Sequence, residues 1–137
     1  TIMAYAGICT PDDLQLHSDD YFHSASLYEI EHFITTSGNW CASQSSTGNK
    51  LVQLPAFSAS YTIPYLTPFE LNAPSAVDSV GSSSVTYCWE QWNLGDEGLR
   101  LQETQYSGPL FRSYPPVKSP LRIFPKNSMV LAEKYTH

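Results

Sequence analysis

The sequence predicts a mainly β protein, α+β overall: one early turn-and-helix segment followed by a β-sandwich. Three observations lead there. Apolar residues recur at helical spacing only between about residues 26 and 36. Beyond residue 50 the apolar runs are short, alternate with polar residues and are bounded by Pro or turn residues. The composition is that of a β-rich, weakly charged chain, with 10 Pro, 9 Tyr, 6 Phe and 3 Trp and only 15% charged residues in 137.

Each element has a local reason. Ser26-Leu27-Tyr28-Glu29 reads as a capping box, in which the Ser hydroxyl and the Glu carboxylate each take an orphan amide of the first turn. Leu27, Ile30, Phe33 and Ile34 then fall on one helical face. Ser37-Gly38-Asn39 ends the helix after Thr36. Residues 42–52, rich in Ser, Gln, Thr and Gly, read as a linker. It divides the chain into 1–41 and a β-module over 53–137. Within the module, Tyr61-Thr62-Ile63 is a short strand stopped by Pro64, and Pro68 to Leu71 starts another. Val85 to Trp92 is the longest strand candidate, with Val85, Tyr87 and Trp89 on one face and Thr86, Cys88 and Glu90 on the other. Arg122-Ile123-Phe124 is a strand between Pro120 and Pro125.

Charge and hydropathy exclude several classes. A net charge of −6, from 7 basic and 13 acidic residues, argues against a nucleic-acid partner, because phosphate binding needs clustered Lys and Arg. It argues equally against an anionic membrane surface. No apolar run approaches the roughly 18 residues that span a bilayer. Residues 1–10 lack the basic and hydrophobic regions of a signal peptide, and the chain opens at Thr1. The expectation is a chain that is processed, trimmed or a piece of something longer.

Thr1-Ile2-Met3-Ala4-Tyr5-Ala6-Gly7, alone, reads as a buried turn or strand. Twenty residues on comes Phe22-His23-Ser24-Ala25-Ser26, leading into the helix. Together these resemble the end of the catalytic domain of reprolysin-like metzincins, the secreted bacterial group in particular. There a Ser/Thr-Ile-Met-x-Tyr segment forms the Met-turn under the catalytic zinc, and a Phe-Ser-x-x-Ser-like segment opens the last helix. The likeness extends into Tyr61-Thr62-Ile63-Pro64, Thr67-Pro68-Phe69 and Thr86-Tyr87-Cys88-Trp89-Glu90-Gln91, then into Gly108-Pro109-Leu110-Phe111-Arg112-Ser113 and Ser119-Pro120-Leu121-Arg122. These are similar to an immunoglobulin-like accessory module of such proteins, so the sandwich is expected to be immunoglobulin-like or fibronectin-like and short of its full strand count. An incomplete sandwich leaves a sheet edge through which two copies could pair.

The resemblance implies a secreted zinc-dependent metalloendopeptidase. Met3 and Tyr5 would support the zinc site from below, and Ala4, Tyr5, Ala6 and Gly7 would wall the substrate pocket. In a secreted chain a Cys9–Cys41 bridge would tie the helix to the turn and contribute about 3 kcal/mol; the alternative is two free buried thiols. Cys88, beside Trp89, would pack as a small apolar residue. The chain departs from the family in one decisive respect. It has no His-Glu-x-x-His motif, and His17, His23, His32 and His137 are not spaced to share a helical turn. No catalytic residue, metal ligand or cofactor is therefore expected in this chain. Zinc and its ligands would belong to an N-terminal catalytic segment, the expected partner. Asp12-Asp13, Asp19-Asp20, Asp78 and Asp96-Glu97 lack the alternating oxygen ligands of a calcium loop. The rival reading is an extracellular binding or adhesion module that recognises protein or carbohydrate through Trp40, Trp89, Trp92 and the many Tyr.

Overall fold

The computed structural model describes residues 1–8, 10–11, 13–57, 60–65, 67–80, 85–95 and 108–131. Among them are helix α1 (Ser24–Thr35), strands β1 (Phe69–Asn72) and β2 (Leu121–Phe124), and a short helix α2 (Asn127–Leu131). The chain is thus a small mixed α+β protein, low in regular structure. Its described sheet has two strands, so the sandwich expected from the sequence is not formed among these residues.

α1 begins three residues earlier than the capping box placed it, so Ser26 lies inside the first turn. The reason is tertiary. His23 is the N-cap, its Nδ1 accepting the Ala25 amide at 3.1 Å. The Ser24 amide donates at 2.6 Å to the carboxylate of Glu90, 66 positions away. An anion at a helix N-terminus satisfies an orphan amide and complements the helix dipole. The C-terminus is as expected: Thr36 caps, and the Gly38 amide reaches back to the Phe33 carbonyl at 2.8 Å. Phe33 lies close against Gly38, where a Cβ would sit 2.5 Å from the ring. The predicted apolar face is present but faces outward: no residue of α1 is buried, and Leu27, Ile30, Phe33 and Ile34 are all exposed.

β1 and β2 pair antiparallel, Phe69 opposite Phe124 and Leu71 opposite Arg122. Both fall within a residue of their predicted places. Phe69 and Phe124 stack at 5.0 Å, and Phe111 meets both rings edge-on at 5.7 and 5.1 Å. This aromatic triad is the core, and Phe124, 6% exposed, is the buried large hydrophobic among the described residues.

The predicted strands at 61–63 and 85–92 are not strands. Tyr87 forms one isolated bridge to Val117, and Gln53 forms one to Val77. The alternation of 85–89 does persist in burial, with Val85, Tyr87 and Trp89 half-buried and Thr86 and Cys88 exposed. What replaces a ladder is a series of side-chain bonds. The Tyr87 hydroxyl accepts the Ala76 amide at 3.0 Å. Cys88 Sγ donates to the Tyr114 carbonyl at 3.3 Å, and Trp89 Nε1 to the Pro120 carbonyl at 2.8 Å. Glu90 accepts from Ser24 and Ser113. Gln91 Oε1 accepts the Leu110 and Phe111 amides at 2.8 and 3.0 Å. Five consecutive residues thus fasten the chain at residue 24, at 76, over 110–114 and at 120, and Gln91 sets Phe111 against the core. Cys88 is therefore an exposed hydrogen-bond donor rather than a packing residue.

Residues 42–52, the predicted linker, are exposed and carry no regular structure. The segments either side of them meet elsewhere, through Glu90, Ser113 and Arg112. The chain exposes 11453 Å², whereas a folded monomer of 15.3 kDa exposes about 7100 Å². No helix among the described residues is long and apolar enough to cross a membrane.

Candidate functional site

The N-terminal run forms a tight turn. The Ala4 amide returns to the Thr1 carbonyl at 3.1 Å, placing Ile2 and Met3 at its corners. Two bonds seat this turn on the segment before α1. The Ile2 amide donates to the Tyr21 carbonyl at 2.9 Å, and Ser18 Oγ to the Ala4 carbonyl at 2.8 Å. Gly7 has φ +81, a conformation that L side chains rarely adopt, and an added Cβ would lie 2.2 Å from the Leu16 carbonyl oxygen. Its amide donates to Asp13 Oδ1 at 2.9 Å, while Thr10 donates to Oδ2 at 3.2 Å. Asp13 thus closes this loop.

The sequence-predicted residues fall as follows. Met3 is 65% exposed and Tyr5 79%, so the run is not the buried segment expected from its apolarity. Ala4 is exposed, and Ala6 and Gly7 are half-buried beside it. Met3 to Gly7 therefore lie together on one turn. Cys41 is an exposed free thiol. Its expected partner Cys9 lies outside the described residues, as do Asp12, Asp96, Glu97 and His137.

Among the described residues no three His, Cys, Asp or Glu side chains come together to hold a metal. His23 spends Nδ1 on the cap and turns Nε2 toward Glu90 at 3.9 Å, and His32 stacks on Tyr28.

Sequence reasoning missed the polar centre of the molecule. Glu90, its side chain 6% exposed, accepts the Ser113 hydroxyl at 2.7 Å through Oε1 and the Ser24 amide at 2.6 Å through Oε2. The single Ser113 proton is committed to the carboxylate, so at the 2.6 Å contact Tyr21 is the donor and Ser113 the acceptor. Burial pushes the Glu90 carboxyl up, but the bonds from Ser113 and Ser24 and the nearby His23 outweigh it, and its pKa lies below the ordinary value. Burial raises Tyr21, partly offset by Ser113. Cys88 is exposed as a residue but its thiol is partly covered, and this desolvation raises its pKa, with the Glu90 charge adding to it, which keeps that thiol protonated and poorly nucleophilic. Arg112 adds an outer tie to the N-terminal segment, bonded to Gln15 and 3.7 Å from Asp19. The available signal was an acid set among Trp and Cys in an alternating run, since buried acids are rare unless paired.

This centre joins distant segments: Glu90 accepts from Ser113 and Ser24 and so ties the start of α1 to residue 113. No protein-family model, curated protein or solved structure matches this chain.

Proposed function

We propose that this chain is the non-catalytic part of a secreted, zinc-dependent metalloendopeptidase of reprolysin-like metzincin type. Residues 1–41 supply the methionine turn and the pocket wall. Residues 53–137 form an accessory module of immunoglobulin-like or fibronectin-like descent. The zinc and its histidines come from a catalytic segment outside these residues. The observation that carries the reading is the turn Thr1–Ala4, closed and bolted to the segment before α1, yet presenting Met3 and Tyr5 to solvent. A methionine turn under a metal site needs that arrangement, a rigid base with its side chain directed at what lies above. The open apolar face of α1 supports the reading too, because a helix with a 3.6-residue apolar stripe ordinarily packs on something.

The test is the gene product extended upstream of Thr1. A His-Glu-x-x-His sequence is expected there, with casein cleavage by the extended product that a chelator abolishes and zinc restores. An extended product with no such motif and no chelator-sensitive cleavage overturns the proposal. The binding-module alternative has its own support in Trp40 and Tyr65, 88% and 92% exposed. It gains if the extended product is inactive but retained on a carbohydrate or protein matrix.

A further inference from the structure

We propose that the cavity between residues 87–89 and 114–127 binds a carboxylate carried on an apolar body about the size of an aromatic amino acid. The cavity has a volume of about 290 Å³, lined by Tyr87, Trp89, Tyr114 and Ile123, with Arg122 and Lys126 among its lining residues. Such a volume suits a small ligand.

The charges decide the ligand class. The chain carries −6 overall, yet four of its seven basic residues lie between positions 112 and 126. Arg122 lies over the rings of Tyr114 and Phe124 at 4.9 and 4.4 Å, and Lys126 over Tyr114 at 5.2 Å. Neither forms an ion pair among the described residues, where the pairs are made by Thr1, His23 and Arg112. Glu90, the nearby acid, already accepts from Ser24 and Ser113. Arg122 donates to the carbonyls of Trp89 and Arg112, which leaves three of its five N–H groups. A half-buried guanidinium and an exposed ammonium over aromatic faces, with donors left over, are complementary to a planar carboxylate, and a guanidinium offers it two parallel bonds. The apolar walls require that the anion carry an apolar group beside it, as the C-terminal residue of a peptide does. The inference is independent of the protease reading.

The experiment titrates the whole chain with N-acetyl-phenylalanine and, separately, with its uncharged amide, following the Trp89 indole N–H resonance. The acid is expected to shift this resonance with a Kd on the order of 1 mM. The amide is expected to bind about tenfold more weakly, having lost its charge-assisted bonds. Lys126→Gln, at an exposed position, is expected to fold normally and weaken the acid about fivefold. Equal binding of acid and amide, or no shift with either, overturns the proposal.

Discussion

Phe124→Ala is expected to cost about 3–5 kcal/mol, the range for emptying a buried aromatic site. The side chain is 6% exposed and touches both other members of the triad, Phe69 stacked at 5.0 Å and Phe111 edge-on at 5.1 Å. Arg122 also lies over its ring. Nothing nearby can collapse into the space without breaking the β1–β2 register, since Phe69 is the cross-strand partner of Phe124. Small domains are stable by only about 5–15 kcal/mol, so this loss takes most of the margin of so lightly packed a chain. Urea unfolding followed by near-ultraviolet circular dichroism checks it. Phe124→Leu, which keeps most of the volume, should cost less than half as much. Equal costs for the two variants would show that the triad is not the core.

Glu90→Ala is expected to cost about 3 kcal/mol, because it orphans the Ser24 amide and the Ser113 hydroxyl together at a nearly buried site. Its signature is spatial as well as energetic. The α1 N-terminus and Tyr21 lose their attachment to residues 90 and 113, so amide exchange should accelerate at residues 24–27 ahead of β1 and β2. Glu90→Gln keeps an acceptor but not the charge and should cost about half as much. The same residue sets a pH dependence. A carboxyl whose folded pKa lies below its ordinary 4.5 stabilises the fold above that pH, and the stabilisation is lost as the pH falls through the folded value. The urea midpoint should therefore fall on acidification below about pH 4.5 more steeply in the native chain than in Glu90→Gln. Parallel profiles would contradict the role given to Glu90.

These two residues also mark what was legible in the sequence. Helix α1 announced itself through Leu27, Ile30, Phe33 and Ile34, because helical periodicity is local. Its first residue did not, because the carboxylate that receives the Ser24 amide comes from 66 positions away. Strands β1 and β2 were legible as short apolar runs beside Pro68, Pro120 and Pro125. The longest alternating run, Val85 to Trp92, gave the correct burial pattern over 85–89 and the wrong backbone. Its polar and aromatic side chains bind turns and irregular segments, so the run is held by scattered side-chain bonds and only Tyr87 keeps a β-bridge. Alternation reports which side faces inward; it does not report what the other side is bonded to. Of the predicted site, the turn bearing Met3 was legible from its apolar run and Gly7. The exposure of Met3 was not, because apolarity alone predicts burial.

The central proposal is that the Thr1–Ala4 turn and the apolar face of α1 are surfaces completed by a catalytic segment outside these residues. Hydroxyl-radical footprinting of the isolated chain and of the product extended upstream of Thr1 tests it most directly. In the isolated chain Met3, Leu27, Ile30 and Phe33 should label heavily, as their exposure requires. In the extended product these four should be protected together, while Trp40 and Tyr65 label equally in both. Unchanged labelling of Met3 and the α1 face in the extended product would contradict the account.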